Sequence, residues 1–437
     1  MSTTWLVLLA LMVVVGIPYI AWTRMEARKH AKAAIAHEET VALGDDIVPV
    51  SIHPEIDLDA CIGSGGCVRA CPEDEVLAIT DGRARLVHPM SCIGHSACLS
   101  ACPVGAIKLV FGTATRGIEL PKLSPGFETS RQGIYVVGEL GGMGLIRNAV
   151  EQGRQAAESI AKSGRRGAAG DLDAIVVGAG PSGIAAALAL IARGMRIVVL
   201  EQDKFGGTIT HYPRAKVVMT GSIELPGYGT VRRATMSKED LVELWTDIRA
   251  RTNLPVKEGV RIEQIEAEGA AFRVRGGEFH DRAANVVLAL GRRGAPKELG
   301  VPGEQLPKVV YRVIEPEVFA DKRVLVVGGG NAAADCAIAL AEQGGCRAVG
   351  LSYRRTELAR VRASVRARLD ELVAQAKVRM LLGTEVASIS EHHVMLRSAR
   401  GVEQLDNDHV VIQIGGTAPS QLLRSIGIEL VEKRGEA

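Results

Sequence analysis

The stretch DAIVVGAGPSGIAAALALIARG, residues 173–194, runs from an apolar strand through a glycine-rich turn into an apolar helix. Gly178, Gly180 and Gly183 stand in G-x-G-x-x-G spacing: one makes the tight turn, one admits a pyrophosphate, and one lets helix and strand pack closely. The next apolar run ends at Glu201, where an acidic side chain can bind a ribose hydroxyl. This arrangement predicts a dinucleotide-binding α/β domain. Its predicted cofactor contacts are Gly178, Gly180, Pro181, Ser182, Gly183, Glu201 and Gly207.

A second strand, turn and helix follow in RVLVVGGGNAAADCAIALAEQG, residues 323–344, in G-x-G-x-x-A spacing. The next strand ends in Arg354 and Arg355, where an NAD site usually places an acid. Guanidinium groups suit a 2′-phosphate, so the pattern favours NADPH and leaves NADH open. Alternatively, the two arginines are solvated and open a basic helix over 356–369. The predicted contacts at this second site are Gly328, Gly330, Asn331, Ala333, Arg354 and Arg355.

Two such Rossmann units in succession resemble the two-dinucleotide flavoproteins typified by thioredoxin reductase. The resemblance runs from about residue 171 to the end of the chain. It includes VVLALGRRGAPKELGVPGE (286–304) and HVVIQIGGTAP (409–419), which look like the two crossings between an FAD domain and an NADPH domain. The implied domains are an FAD-binding domain at 172–295, an NAD(P)H-binding domain at 296–418 and a segment returning to the FAD domain at 419–437.

The chain departs from thioredoxin reductase because no C-x-x-C pair occurs in this flavoprotein portion. The dithiol relay of that enzyme therefore cannot operate, and no catalytic side chain is predicted, since the flavin carries the chemistry. In this respect, and in the stretch YPRAKVVMT (212–220), the chain looks closer to flavoproteins of the bacillithiol-disulfide-reductase type.

The family normally ends with a segment that completes the FAD site, and here a similar segment lies upstream, in FETSRQGIYVVGELGGMGLIRNAVEQGRQAAESIA (127–161). The resemblance therefore implies a circular permutation, with the closing segment at 121–161 and a connecting linker at 162–171. Glu139 would stand near the flavin ribityl chain, and a helix starting near Gly144 would point its positive end at the flavin. The alternative is an ordinary strand–helix spacer.

Six of the eight cysteines lie in two copies of one motif, CIGSGGCVRACP from Cys61 and CIGHSACLSACP from Cys92. A bacterial two-cluster ferredoxin carries one further cysteine in each run, at the positions that Ser64 and His95 hold here. The spacing indicates a cluster or metal site in a reducing compartment rather than disulfides. The other two thiols, Cys336 and Cys346, are interpreted as small buried apolar residues.

Residues 48–115 resemble a bacterial dicluster ferredoxin, an α+β domain in which the last cysteine of each run serves the other cluster. The resemblance implies a first cysteine set of Cys61, Cys67 and Cys102, and a second cysteine set of Cys71, Cys92 and Cys98. Three thiolates suit a 3Fe–4S cluster, or a 4Fe–4S cluster whose fourth iron takes Ser64, His95 or water. Zinc bound by Cys₃His and a degenerate domain without clusters are the alternatives.

The N-terminus carries no charged residue from Met1 to Thr23, and this length suits a hydrocarbon core of ~30 Å. Basic residues follow, at Arg24, Arg28, Lys29 and Lys32. The uncharged length predicts a single-pass transmembrane anchor at 1–23, followed by a juxtamembrane helix and linker at 24–47. The positive-inside rule then predicts that the remainder lies on the cytoplasmic side of the inner membrane. A signal peptide without a basic start and a buried helix are the alternatives.

The formal net charge of +2 and its mixed pattern argue against a nucleic-acid partner. We therefore expect a membrane-anchored NAD(P)H-dependent oxidoreductase that passes electrons through FAD to two iron–sulfur clusters. The expected partners are the membrane and a redox protein or quinone-linked acceptor, and a homodimer stays open. Reverse flow from a ferredoxin-like donor to NADP⁺, a disulfide reductase and a non-enzymatic redox sensor remain alternatives.

Overall fold

The computed structural model describes residues 12–49, 51–73, 75–142, 144–212, 214, 216–291, 296–416 and 419–436. These residues form two compact units, one of the described residues up to 116 together with 434–436, and the other of the described residues from 117 to 433. Each unit has its own core, and both contain helices and strands. The α/β class predicted for the flavoprotein portion is confirmed.

The first unit contains helices α1 (Ile17–Leu43), α2 (Gly66–Ala70) and α3 (Ala97–Ser100), and strands β1 (His53–Ile56), β2 (Leu77–Thr80), β3 (Arg83–Leu86) and β4 (Ile107–Val110). Strands β1 and β4 pair antiparallel, and β2 and β3 form a hairpin. The hairpin turns at Asp81 and Gly82, which both have positive φ as a two-residue turn of this kind requires. Cys61, Cys67 and Cys98 are buried in the core of this unit, and the other three cysteines of the two motifs are partly buried against it.

Helix α1 begins before the predicted juxtamembrane helix and lies against the hairpin. The Thr40 hydroxyl donates to the Val87 carbonyl oxygen at 2.7 Å, and His30 Nδ1 lies 3.0 Å from the Ile79 carbonyl oxygen. No helix in the described part of the chain combines the length and the apolarity needed to cross a membrane. Residues 1–11 of the predicted anchor lie outside the described residues.

The second unit contains two sheets of mainly parallel strands. The first has seven strands, in which β13 (Val256–Glu258), β8 (Ile197–Glu201), β7 (Leu172–Val177), β16 (Phe279–Leu288), β15 (Ala271–Gly276) and β14 (Gln264–Glu268) follow in order, and β6 (Ile134–Val136) also pairs with β16. The second has five parallel strands in the order β17 (Val309–Val310), β24 (His409–Ile412), β18 (Arg323–Val327), β19 (Ala348–Tyr353) and β20 (Val378–Leu382). Near-continuous apolar strands, such as β7 and β18, are what parallel sheets covered on both faces require.

Helices cover these sheets, and short antiparallel strands complete the unit. The helices are α4 (Ile146–Ser163), α5 (Pro181–Ile191), α6 (Lys238–Thr252), α7 (Asn331–Glu342), α8 (Ala363–Ala374) and α9 (Ser420–Ser425). The short strands are β5 (Ile118–Pro121) with β25 (Leu430–Lys433), β9 (Val217–Met219) with β12 (Thr235–Ser237), β10 (Ser222–Leu225) with β11 (Gly229–Arg232), and the meander β21 (Thr384–Ile389), β22 (His393–Ser398) and β23 (Gly401–Asp406).

The segment expected to return to the FAD domain divides between the two units. Leu423, Ile426 and Ile428 pack in the core of the seven-stranded sheet, in agreement with the expected return. The last described residues lie in the first unit instead, where the Phe111 N–H donates to the Glu436 carbonyl oxygen at 2.8 Å. Residues 434–436 therefore belong to the first unit.

The predicted linker at 162–171 is held by hydrogen bonds on the second unit. Helix α4 extends two residues into it, to Ser163. The buried carboxylate of Asp173 then accepts from the Gly167 N–H at 2.9 Å and from the Arg196 N–H at 2.8 Å. Arg165 donates to the Ala270 carbonyl oxygen at 2.8 Å. These bonds fix the junction between α4 and β7 in place, where a glycine-rich composition alone predicts a flexible chain.

Candidate functional site

The first glycine-rich turn has the geometry that a bound pyrophosphate requires. A Cβ on Gly183 would lie 1.9 Å from the Gly178 carbonyl oxygen, so only glycine lets α5 pack against the end of β7. A Cβ on Gly180 would meet no atom within 4 Å, so this face of the turn is open. Helix α5 begins at Pro181, and the free N–H groups in the first turn of a helix are suited to binding an anion. The residues therefore fit the pyrophosphate of FAD.

Glu201 lies at this turn, where the sequence places it, but its carboxylate is buried and accepts hydrogen bonds from backbone N–H groups. Its oxygens accept from the Ala179 N–H at 2.7 Å and from the Asp203 N–H at 3.0 Å. Burial raises the pKa of this carboxyl, and the two N–H groups oppose part of that effect. Gly207 follows on the next turn, where its Cβ position lies 3.2 Å from the Gly180 Cα. Glu201 and Gly207 thus both border the turn.

The upstream segment 127–161 adds a strand and a helix to this site. Strand β6 pairs parallel with β16, and Val136 lies opposite Leu288. A Cβ on Gly138 would lie 2.6 Å from the Ser182 hydroxyl. The Gly138 N–H donates to the buried Gln152 side chain at 2.8 Å. Gln152 was not predicted from the sequence, because no motif marks it.

The predicted Glu139 and the predicted helix start fall close to where the sequence places them. Glu139 is exposed on the turn after β6. Its Cγ lies 3.8 Å from the Cβ position of Gly144, and α4 begins at Ile146. Met143, between them, lies outside the described residues. The structure therefore brings Glu139 and the start of α4 together beside the first glycine-rich turn.

The second glycine-rich turn repeats the geometry of the first. The Gly328 N–H donates to the Ser352 carbonyl oxygen at 3.0 Å, as the Gly178 N–H does to the Leu200 carbonyl oxygen at 2.7 Å. A Cβ on Gly328 would lie 2.9 Å from the Ala333 Cβ, which explains why glycine stands at 328 and a small residue at 333. A Cβ on Gly330 would meet nothing within 4 Å. This turn also fits a dinucleotide pyrophosphate.

The predicted arginines lie beyond the end of β19, and two unpredicted arginines join them. Arg354 is exposed and Arg355 is half-buried. The chain then passes back along the glycine-rich turn, where Arg360 forms a parallel bridge with Gly330 and the Arg362 N–H donates to the Asn331 side chain at 2.8 Å. Helix α8 begins only at Ala363, so the basic helix expected over 356–369 starts later. The arginine-rich run from 354 to 366 was the signal for Arg360 and Arg362.

The first cysteine set surrounds one cavity. Cys61, Cys67 and Cys102 line it together with the exposed Ser64. The Ala84 N–H donates to the Cys61 sulfur at 3.4 Å, and the Ala106 N–H donates to the Cys102 sulfur at 3.2 Å. Burial, together with the neighbouring Cys61 and Cys102, raises the pKa of the Cys67 thiol. Three thiols around a cavity fit an iron–sulfur cluster, and N–H donors to sulfur tune such a group.

In the second cysteine set, Cys71 and Cys92 lie near enough to Cys98 to affect its thiol. Burial, then the proximity of Cys92 and Cys71, raises the pKa of the Cys98 thiol to about 11. His95 is half-buried in the loop before α3, and its carbonyl oxygen accepts from the Ser96 hydroxyl at 2.6 Å. Within the described ranges, no three His, Cys, Asp or Glu side chains converge as they would on a single metal ion.

The two motifs fold alike, which the repeated sequence predicts. Gly65 precedes α2 with φ 68°, and Ser96 precedes α3 with the same φ of 68°. These residues stand at the same offset from Cys61 and Cys92, respectively. Ser96 adopts this left-handed conformation although it carries a Cβ, which costs about 1 kcal/mol. The residue before each helix thus has the same left-handed backbone conformation in both motifs, although it is glycine in one and serine in the other.

Comparison with known proteins agrees with this geometry. Residues 175–436 match the family described as pyridine nucleotide-disulphide oxidoreductase, and residues 53–103 match the 4Fe-4S dicluster domain. A ferredoxin–NADP reductase of Ignicoccus hospitalis is 30% identical over 59% of this chain and 82% of its own length. The bacilliredoxin reductase Bdr of Bacillus subtilis is 27% identical over 60% of this chain and 82% of its own.

A solved structure of the bacillithiol disulfide reductase Bdr from Bacillus cereus is 25% identical, with a TM-score of 0.52. That comparison covers 59% of this chain and 82% of the other. The family match covers more than half of the chain and contains both glycine-rich turns. The chain therefore belongs to the pyridine nucleotide-disulphide oxidoreductases, as an NAD(P)H-dependent FAD and iron–sulfur oxidoreductase with a 4Fe-4S dicluster domain ahead of its reductase portion.

Proposed function

We propose that this enzyme carries electrons from NADPH through FAD to iron–sulfur clusters on its own chain, and from there to a separate acceptor. One observation carries the proposal: Cys61 and Cys67 of the first motif and Cys102 of the second line one cavity, on a chain whose relatives include a ferredoxin–NADP reductase. A ferredoxin-like domain joined to such a reductase places donor and acceptor on one polypeptide. The missing C-x-x-C pair leaves the clusters as the route out of the flavin.

In this scheme, the residues of the chain bind the cofactors and position them. When bound, FAD takes a hydride from NADPH and passes electrons on singly, as iron–sulfur clusters require. The turns at Gly180 and Gly330 offer open backbone to the two pyrophosphates. Arg354 and Arg355 select the 2′-phosphate of NADPH over NADH, and Arg360 lies within the same loop. The thiolates of the two cysteine sets hold the clusters.

The cluster types follow from the residues at the two positions without cysteine. Ser64 lines the cavity of the first cysteine set, and a serine hydroxyl is a poor ligand unless deprotonated. We therefore assign a 3Fe–4S cluster to the first set. A neutral imidazole binds iron readily near pH 7, so we assign to the second set a 4Fe–4S cluster with His95 as its fourth ligand.

We also propose that residues 121–161 are the closing segment of the FAD site, moved ahead of the first glycine-rich turn by circular permutation. The pairing of β6 with β16 supports this, as does the contact of Gly138 with Ser182. A spacer with a chance likeness has no need to pack on the start of α5. The hydrogen-bonded junction at 162–171 then joins the moved segment to β7.

We also propose a location for the enzyme in the cell, and this part of the proposal depends on the sequence alone. The uncharged run 1–23 and the basic residues after it favour an anchor in the inner membrane, with the remainder in the cytoplasm. The acceptor would then be a redox protein or a quinone-linked carrier at that membrane. Removal of residues 1–23 should move the protein from the membrane fraction to the soluble fraction. Recovery of the full chain from a lysate without detergent would contradict the anchor.

Steady-state kinetics test the direction of electron flow and the alternatives. NADPH oxidation with ferricyanide, a small one-electron acceptor, should be fast, and should not require a disulfide substrate. Faster reduction of NADP⁺ by a reduced ferredoxin would favour reverse flow. Turnover with a low-molecular-weight disulfide alone would favour a disulfide reductase, and the absence of turnover with any of these acceptors would favour a redox sensor.

A further inference from the structure

The surface beside the first cysteine set is apolar and exposed. Ile62 and Val104 line the cavity of this set, and their side chains are 64% and 44% exposed. Leu58 is 37% exposed on the turn that leads into Cys61, where the Cys61 N–H donates to the Asp57 carbonyl oxygen at 3.0 Å. We call Leu58, Ile62 and Val104 the apolar rim. Exposed apolar side chains grouped at one redox site are characteristic of an interaction surface.

Acidic side chains flank this apolar rim. Asp57 and Asp59 are exposed on either side of Leu58. The Asp57 carboxylate accepts from the Asp59 and Ala60 N–H groups at 2.9 and 3.2 Å, so its position is fixed. Arg69 on α2, whose guanidinium donates to the Ser64 carbonyl oxygen at 3.2 Å, supplies one positive charge nearby. An apolar centre with a mainly acidic edge complements a partner with an apolar centre and a basic edge.

We infer that the apolar rim is a docking surface for a basic protein that accepts single electrons, and that the first cysteine set delivers electrons there. This inference rests on the proposed function and names the kind of acceptor. Each NADPH would reduce two partner molecules, leaving NADP⁺ and one proton. Ile62 and Val104 stand between the first cysteine set and the surface, so a partner seated on them comes closest to that cluster.

The second cysteine set provides an internal control. Leu99 follows Cys98 on α3 and is 41% exposed, close to the exposure of Val104. It is exposed and apolar beside a cysteine set, but it does not line the cavity of the first set. Leu99→Asn therefore makes the same chemical change at the other cluster. A docking surface at the apolar rim predicts that the two sites respond differently.

The test uses the full-length holoprotein and mitochondrial cytochrome c, a basic one-electron carrier, as the probe. Ile62→Asn combined with Val104→Asn should weaken cytochrome c binding in calorimetry, and slow its NADPH-driven reduction, by about tenfold. Asp59→Lys, an exposed change that leaves the core intact, should slow the reduction at low salt and flatten its salt dependence. Leu99→Asn should match the unchanged protein. Ferricyanide reduction and iron content should stay constant in Asp59→Lys and Leu99→Asn, and iron analysis of the rim variant separates loss of the cluster from loss of docking.

Three results would overturn the docking surface and leave the proposed function standing. The first is equal cytochrome c binding and reduction by the rim variants, by Leu99→Asn and by the unchanged protein. The second is a rim variant that keeps its iron but slows reduction of its own clusters by NADPH, which would make the rim an internal contact. The third is cytochrome c reduction by Asp59→Lys as fast as by the unchanged protein. If NADPH fails to reduce the clusters even in the unchanged protein, the proposed function itself is wrong.

Discussion

Gly153 of α4 lies directly against Ser182 of α5, so that a Cβ on Gly153 would come within 2.2 Å of the Ser182 carbonyl oxygen. The same Cβ would lie 2.9 Å from the Ala186 backbone nitrogen. Backbone atoms cannot yield as the end of a flexible side chain can. The glycine therefore fixes how closely the upstream segment approaches the helix that begins at the first glycine-rich turn.

Gly153→Val should accordingly displace α4 from the FAD site. We expect the purified variant to retain much less FAD, since overpacking of this kind costs about 1–3 kcal/mol. The flavin-to-protein absorbance ratio and an FAD titration measure the loss. Lys162→Val, which adds the same side chain at the exposed end of α4, should keep its FAD. Full FAD occupancy in Gly153→Val would contradict the role given to 127–161.

Some of this site was predictable from sequence because its residues are defined by spacing. The two glycine-rich turns and the first cysteine set depend on local patterns, and the structure places the residues of each close together. Gln152 was not predictable, because a glutamine within an amphipathic helix has no distinguishing pattern. The loop in which Arg360 pairs with Gly330 falls within the basic helix that the sequence offers as an alternative over 356–369. Its spaced arginines are compatible with a helix and with a loop. Asp173 holds the supposed linker through contacts distant in sequence, such as that with Arg196, which composition does not reveal.

Replacement of Arg354 and Arg355 by Ala should raise the KM for NADPH far more than the KM for NADH. Each charge-assisted contact to the 2′-phosphate contributes about 1.5–3 kcal/mol before coupling. Steady-state kinetics with both nucleotides measure the difference. Arg379→Ala, at an exposed position on β20, serves as the control. Equal effects of the double variant on both nucleotides would show that the two arginines are only solvated.

Substitutions at Ser64 and His95 should affect different clusters. Ser64→Cys supplies a fourth thiolate at the cavity of the first cysteine set, so it should convert a 3Fe–4S cluster toward 4Fe–4S and remove its oxidised-state EPR signal. His95→Ala should shift or destabilise only the cluster of the second set. EPR spectra and iron counts of both variants give the answer. If neither variant changes either quantity, neither side chain lies at a metal.

Asp173→Asn should destabilise the second unit in a pH-dependent manner. Burial alone would raise the pKa of this carboxyl, but hydrogen bonds from Arg196 and Gly167 outweigh it and hold the pKa at about 2. Compared with an ordinary value of 3.8, this stabilises the fold by roughly 2 kcal/mol at neutral pH. The contribution is complete above pH 3.8 and disappears as the pH falls toward 2.

Thermal unfolding midpoints of Asp173→Asn and the unchanged protein should therefore differ at pH 7 and converge in acid. Glu268→Gln breaks an exposed ion pair with Arg273 and should change the midpoint little at either pH, because exposed pairs contribute little. A difference that is the same at pH 7 and near pH 3 would show that the Asp173 charge does not stabilise the fold.

In the proposed function, NADPH, FAD and the two cysteine sets form one electron pathway. Rapid anaerobic mixing of the purified full-length protein with NADPH, followed by freezing and EPR, tests this pathway, with iron and sulfide analysis of the same sample. We expect stoichiometric iron and sulfide, loss of the flavin absorbance band, and a change in the cluster signals within a single turnover. Bleached flavin with cluster signals unchanged over many turnovers would contradict it.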